Sequence, residues 1–366
     1  MVAFDDVLAD LGAAGVAMRR AWPRSGEQLL LDLDDLDRPG DRVAGQWFAD
    51  LDVAKEVASS TEGSCRRGRV VLQPSGADRR LTELAALVRQ PDSRLVAHRP
   101  ERRAVVELDG GARFAKLVPR RRLGGLHHAA LRADRLPIRT PQVLLDEAER
   151  MLVTAALPGT PLSELLSGPR AEEALRAVGS ALARLHRCPP PAGATVHGPQ
   201  DEVAVTTRWE GWARTYQLPV HAAEPRVPES GAPESHFAVD ASTAMWDGGG
   251  PPPAVSSLRV IHRDLHDGQL LLTSGPDGRF QADGVGLLDF DLVAAGDPAL
   301  DLANLIEHLH LRERQGTLAD AESAARALLD GYGPDEDVLD RVIPYRALAA
   351  RRLEALYCFR APNLAT

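Results

Sequence analysis

The sequence predicts an α+β chain, with short antiparallel strands before residue 157 and mostly helices after it. Short apolar runs bounded by Gly, Pro and Asp turns fill the first half, which is the pattern of strands and hairpins. From 172 onward, apolar residues recur at helical spacing, as in Leu175, Val178, Leu182 and Leu185. Between these helical stretches lies a strand–loop–hairpin pattern at 258–289, with acids at its open end.

Composition narrows the class. A chain of 366 residues is long enough for two or three domains, and a formal charge of −9 argues against a dedicated nucleic-acid binder. Cys65, Cys188 and Cys358 show no CxxC and no ligand spacing, which fits a reducing compartment without disulfides or a zinc site. The opening MVAFDDVLADLG has acids where a signal peptide needs positive charge, and no apolar run approaches a membrane span. A cytoplasmic protein without membrane or nucleic-acid partners is expected. Abundant Ala, Arg, Gly and Pro with little Lys point to a GC-rich bacterial genome.

Residues 1–20 are compatible with an amphipathic helix, and 29–33, 43–48 and 69–72 with short strands. The 78–88 stretch reads as a helix with Leu81, Leu84, Ala85 and Val88 on one face and Asp78 as its cap. Asp32, Asp34, Asp35 and Asp37 have no repeating ligand spacing, so a solvated turn outweighs a cation site. Strands are expected at 94–98, 104–108 and 112–118, the last two joined by an Asp109-Gly110-Gly111 turn. Lys116 lies in an alternating apolar strand, and a lysine pointing inward there needs a counter-ion. A further strand at 151–157 runs into Pro158-Gly159.

The second half begins at 162–166 and continues with a helix at 172–186, stopped by Pro189-Pro190-Pro191. His186, at that stop, reads as structural. The 189–257 stretch is an irregular insertion; 204–217 is helical, with Trp209, Trp212 and Tyr216 as a core-like stripe. Low apolar density at 219–253 predicts partial disorder or a mobile loop. Helices are expected at 301–310, 319–329 and 338–357; their many acids read as a solvated face, or else as a cleft for a cationic acceptor.

The 258–304 stretch carries the chemistry. Strand 258–261 enters the loop His262-Arg263-Asp264-Leu265-His266-Asp267-Gly268-Gln269, and Leu270–Leu272 leave it. The Ser274–Gly278 turn returns the chain through Gly286-Leu287-Leu288 to Asp289. A hairpin brings its ends together, so Asp289 falls beside the Asp264–Gln269 loop. A carboxylate able to take a hydroxyl proton then lies near a carboxylate and an amide able to hold a divalent cation, as phosphoryl transfer requires.

HRDLHDGQ, then LLDFD, then GDPALDLAN resembles the aminoglycoside phosphotransferase and choline kinase group of kinase-like small-molecule phosphotransferases. The resemblance is specific at 258–304, weaker at 104–162, and loose over the rest of 93–366. It implies a bilobal protein-kinase-like fold: a cap at 1–92, a small antiparallel-sheet N-lobe at 93–157, and a helical C-lobe at 158–366. It implies ATP and Mg²⁺ as cofactors, Asp264 as catalytic base, Asp289 as principal metal ligand, and His262, Asp297 and Asp301 as loop supports. Gln269 stands where the family has Asn, the second metal ligand; it keeps the amide oxygen on a side chain one methylene longer.

By the same resemblance Lys116 meets the nucleotide phosphates, the 99–103 loop with Arg102 and Arg103 covers them, and the backbone of Thr154, Ala155 and Ala156 holds adenine. The glutamate that normally pairs with the lysine is absent: between Pro119 and Pro137 the sole acid is Asp134, and His127 or His128 falls at that position. The implied activity is γ-phosphoryl transfer to a hydroxyl of an aminoglycoside, sugar or amino alcohol, or of a peptide in a biosynthetic pathway. The alternative is a kinase-like binding module without turnover that holds a peptide or partner enzyme. Gln269 and the missing glutamate favour the module; Asp264 and Asp289 oppose it.

Overall fold

The computed structural model describes residues 2–144, 150–219 and 258–361. The mobile loop expected at 219–253 lies, beyond Pro219, outside the described residues.

Helix α1 (Phe4–Ala13) is shorter than the expected 1–20 helix. Gly15 takes φ 72°, a left-handed turn that favours glycine, and the chain returns as strand β1 (Val16–Ser25). Strands β2 (Gln28–Asp35) and β3 (Arg42–Phe48), helix α2 (Leu51–Ser59), and strands β4 (Cys65–Arg67) and β5 (Val70–Gln73) complete an antiparallel sheet of order β1-β2-β3-β5-β4. Leu29, Leu31, Leu33 and Trp47 form its core with Phe4, Val7 and Leu11 of α1.

Helix α3 spans only Leu84–Val88. Asp78 does not cap it. Its Oδ1 accepts the N–H groups of Arg80 and Leu81, closing a turn before the helix begins. Strands β6 (Arg94–Arg99), β7 (Arg103–Leu108) and β8 (Arg113–Leu117) follow, with Asp109 and Gly110 both left-handed in the tight turn between the last two. After helix α4 (Arg120–Ala133), strands β9 (Val143–Leu144) and β10 (Leu152–Ala155) close a second antiparallel sheet, order β6-β7-β8-β10-β9. Leu81, Leu84 and Leu87 pack beneath it against Ala104, Val106 and Ala115.

The remainder is mostly helical. Strand β11 (Thr160–Pro161) and helices α5 (Leu162–Leu165), α6 (Ala171–His186) and α7 (Pro199–Thr215) precede strands β12 (Arg259–Ile261), β13 (Leu270–Ser274), β14 (Phe280–Leu287) and β15 (Ala294–Gly296). Helices α8 (Pro298–Arg314), α9 (Ala321–Tyr332) and α10 (Glu336–Tyr357) end the described chain. The hairpin expected after the loop is β13–β14, with Leu270 opposite Leu287; β12 pairs instead with β15. The apolar face of α6 joins α8 and α9 in one core with both of these strand pairs. The Trp209–Tyr216 stripe of α7 packs on the first sheet, where Tyr216 donates its hydroxyl proton to the Ser25 carbonyl at 2.7 Å. Those aromatics are core.

Candidate active site

The loop between β12 and β13 is held by buried hydrogen bonds. Asp301 accepts the N–H of His262 at 2.6 Å and of Arg263 at 2.8 Å, one on each carboxylate oxygen. His186 contacts the same carboxylate at 3.2 Å and the Tyr332 hydroxyl at 3.0 Å, so it too braces the loop. Burial works against ionisation of Asp301, but these partners outweigh it and hold its carboxyl below the usual range. Arg263 pays a backbone cost for this arrangement at φ 73°. Asp297 caps α8 by accepting the Ala299 N–H and pairs with Arg341 at 2.8 Å. His262 Nε2 lies 2.8 Å from the Leu288 carbonyl, and the Leu288 N–H donates to the Gln269 carbonyl at 2.9 Å. These two bonds fasten the loop carrying Asp264 to the strand end carrying Asp289.

Asp289 is left-handed, at φ 60° and ψ 62°, which turns the chain sharply at the end of β14. Lys116, from β8, reaches across to it: Nζ lies 2.8 Å from Asp289 Oδ1 and 2.7 Å from Asp291 Oδ1. Burial disfavours the Asp289 charge, but Lys116 and then Arg103 outweigh it and hold the carboxyl at about 2. Burial and the adjacent Asp289 push Asp291 up despite Lys116. Asp291, not singled out from the sequence, thus shares with Asp289 the place of the missing helix glutamate. Helix α4 instead turns apolar residues to the site: Leu126, Ala130 and Ala133 line a cavity of about 380 Å³. Lys116, Asp289 and Asp291 share the lining of that cavity, with Val105, Leu152 and Leu271 among its apolar members.

The cavity has the shape of chemistry expected for a nucleotide: apolar walls with charge gathered in one part of the lining. Thr154 and Ala155 line it. The Ala155 N–H donates to Gln142 O and the Ala156 N–H to Ala112 O, both at 2.9 Å, so these two donors are committed within the fold. Gln269 is buried, and its Oε1 has no hydrogen-bond partner among the described residues. A buried amide oxygen left without a donor suits a hard cation such as Mg²⁺, which prefers oxygen ligands. No cluster of three or more His, Cys, Asp or Glu side chains is gathered for a metal among the described residues. Mg²⁺ needs none, since it is commonly held by one or two side chains together with substrate phosphates.

The 99–103 loop splits its arginines. Arg103 Nη1 comes within 3.3 Å of Asp289 Oδ2, whereas burial and the charges of Arg24 and Arg122 lower the pKa of Arg102. Between them Glu101, left-handed at φ 59°, is buried and anchors the loop to the chain before it. It accepts from Arg79 at 2.7 Å, pairs with Arg80 at 3.1 Å and Arg24 at 3.4 Å, and donates its N–H to Asp78 Oδ2 at 2.7 Å. Glu101 and Asp78 carried no sequence signal for this role beyond their charge.

The other acid clusters are accounted for locally. Asp32 pairs with Arg42, Asp34 with Arg19 and Asp37 with Arg67. In the helices, Asp320 and Asp335 are N-caps, and Glu307 and Asp337 pair with Arg346 and Arg341. These four carboxylates are spent on capping and pairing, whereas Glu322 and Glu336 line a second cavity with Arg326 and Arg346.

A two-lobed α+β body with a lysine strand, a braced acid loop and a hairpin-borne aspartate defines a kinase-like fold. The model of the phosphotransferase enzyme family (APH) matches residues 76–342, and the chain belongs to that family. Among solved structures it is similar to aminoglycoside phosphotransferase APH(3'')-Id from Streptomyces rimosus, at 22% identity over 74% of this chain and 97% of that one, TM-score 0.47. It is also similar to a choline/ethanolamine kinase family protein from Mesorhizobium loti, at 15% identity over 75% and 82%, TM-score 0.44. A third is macrolide 2'-phosphotransferase MphH from Brachybacterium faecium, at 19% identity over 74% and 93%, TM-score 0.39. Comparison with curated proteins gives no match. No helix among the described residues is long and apolar enough to cross a membrane.

Proposed function

We propose that the chain transfers the γ-phosphoryl group of ATP, with Mg²⁺, to a hydroxyl of a small molecule or of a peptide in a biosynthetic pathway. The observation that carries this reading is the meeting of Lys116 and Asp289 in the wall of an apolar cavity, 2.8 Å apart. Asp264 takes the acceptor's O–H proton as the new O–P bond forms and the bond from Pγ to the β-phosphate oxygen breaks. Lys116 and Arg103 neutralise the nucleotide phosphates, Lys116 leaving its carboxylates to do so. Thr154 and Ala155 flank the adenine. Mg²⁺, held by Asp289 and Gln269, supplies further neutralisation of phosphate charge. His262, Asp297 and Asp301 keep the two loops in register, and such positioning is itself a large part of phosphoryl-transfer catalysis.

The same reading takes 1–92 as a cap, 93–157 as the N-lobe and 158–366 as the C-lobe. It places the protein in the cytoplasm of a bacterium; three free cysteines suit that compartment. The partnerless Gln269 Oε1, open to a cation, favours the enzyme over the binding-module alternative. The test is thermal: millimolar ATP with Mg²⁺ raises the melting temperature by ligand linkage, and absence of any shift removes the enzyme reading.

A further inference from the structure

The N-terminal sheet has two unlike faces. Leu29, Leu31, Leu33 and Trp47 turn to α1 and are apolar. The other face carries Gln28, Gln46 and Gln73. Strand alternation and register put them there: Leu30 lies opposite Gln46, and Ala44, two residues before Gln46 on β3, lies opposite Gln73. Gln46 and Gln73 are only 0% and 1% exposed. A buried amide is costly unless its polar atoms find partners, and here they form a row across the sheet. Gln28 Nε2 donates to Gln46 Oε1 at 2.8 Å, Gln46 Nε2 donates to Gln73 Oε1 at 2.9 Å, and Gln73 Nε2 donates to the Ala77 carbonyl at 2.8 Å.

The row meets the loop between β6 and β7. Gln46 Nε2 also donates to Glu101 Oε1 at 3.5 Å, and Arg24 of β1 reaches Glu101 Oε2 at 3.4 Å. Arg79, which holds Glu101 Oε1 at 2.7 Å, donates as well to the Ser60 hydroxyl just past α2, at 3.2 Å. Strand β1, strand β3 and the end of α2 thus converge on one buried carboxylate. Glu101 is left-handed at φ 59°, a conformation that a residue with a Cβ keeps only when its surroundings impose it. Two residues further on, Arg103 places Nη1 3.3 Å from Asp289 Oδ2. A loop held in place before the nucleotide arrives need not be ordered on binding, and ordering costs affinity.

We propose that the N-terminal sheet is a functional part of the nucleotide site. Gln46, acting through Glu101, is a positioning residue that holds the 99–103 loop where Arg103 meets the nucleotide phosphates. This rests on the reading of the cavity as an ATP site. Gln28, Gln46 and Gln73 all precede the family match, which starts at residue 76, so the support is one that this chain's own extension adds to the family fold. A glutamine row that only fixed strand register would affect stability and leave the phosphates alone.

The test is calorimetric titration of ATP with Mg²⁺, and of adenosine, into the full native chain, Gln46→Met, Arg103→Gln and the double variant, with folding checked by circular dichroism. Gln46→Met keeps the length of the side chain and removes its amide. It weakens ATP binding at least about fivefold and adenosine binding less than about twofold, because adenosine has no phosphate for Arg103 to meet. The double variant binds ATP no more than about twofold more weakly than Arg103→Gln alone, since both changes act through one contact. Amide hydrogen exchange at 99–103 is at least about tenfold faster in Gln46→Met, a readout that needs no nucleotide. If Gln46→Met does not fold, Arg24→Gln, on the other oxygen of the same carboxylate, carries the same comparison. The proposal is overturned if ATP affinity stays native in these variants, if ATP and adenosine weaken alike, or if the two substitutions add. A native chain that binds no ATP removes the kinase reading instead; faster exchange in Gln46→Met then still establishes that the sheet holds the loop, and unchanged exchange overturns that as well.

Discussion

Lys116 and Asp289, 173 positions apart in sequence, close a 2.8 Å ion pair between the second sheet and the end of the β13–β14 hairpin. Lys116 is one of only two lysines among 43 basic Lys and Arg residues, the other being Lys55. A chain that uses arginine almost everywhere keeps a compact ammonium where phosphate and carboxylate compete for it. Lys116→Met leaves Asp289 and Asp291 without the ammonium between them, with Arg103 as the remaining cation at Asp289. The expected outcome is at least tenfold weaker ATP binding, about 1.4 kcal/mol, measured by titration calorimetry. Unchanged affinity would remove Lys116 from the nucleotide site.

Asp264→Asn takes away a proton acceptor and little volume. ATP affinity and melting temperature stay near native, while phosphorylation of the acceptor falls by roughly 10²-fold or more. Full turnover in this variant, followed by ADP release, would mean that another group takes the proton.

Glu101→Gln leaves Arg79, Arg80 and Arg24 without their shared carboxylate in a buried place. The arginines are partly exposed and solvent screens the pairs, so the loss is expected below the roughly 3–5 kcal/mol of a fully buried broken pair, at about 2–3 kcal/mol in a urea melt. Because Glu101 sits at the turn between Arg99 and Arg103, the KM for ATP rises as well. A variant as stable as native would show that the loop is held from elsewhere.

Acid sensitivity follows from Asp78 and Asp301, whose carboxyls both sit below their ordinary pKa in the fold. For Asp78 burial opposes the shift, and the His98 contact at 3.0 Å and the Glu101 N–H prevail. A depressed carboxylate contributes stability that is fully present above its unfolded pKa, about 4, and is lost as pH falls through the folded value. Melting temperatures of native and Asp78→Asn should therefore differ most near neutral pH and converge below about pH 4. A gap of constant size across that range would show that the charge is not what Asp78 contributes.

The site was legible in the sequence where it is local. Asp264, Gln269 and Asp289 lie on one strand–loop–hairpin unit, so turn residues and spacing were enough to bring them together. Lys116 is legible as an inward lysine, but its partner Asp291 is not: it follows Asp289 by two residues in a turn, where an acid is as readily a solvated residue as an ion-pair partner. The N-terminal sheet was half legible. Its strands at 28–48 showed, but 16–20 suits a helix or a strand by pattern alone, and Gly15 at positive φ decides the matter. The pairing of Arg20 with Arg360 joins the two ends of the described chain, and no local pattern encodes such a contact.

The measurement that bears most directly on the proposed chemistry is the titration of ATP, with Mg²⁺ and with a chelator, into the native chain, Gln269→Ala and Gln269→Asn. If Gln269 Oε1 is held free for a metal, the native chain binds ATP at least about tenfold more tightly with Mg²⁺. That gain disappears in Gln269→Ala. Metal-independent binding by the native chain, with metal dependence acquired only in Gln269→Asn, would contradict the account and favour a binding module.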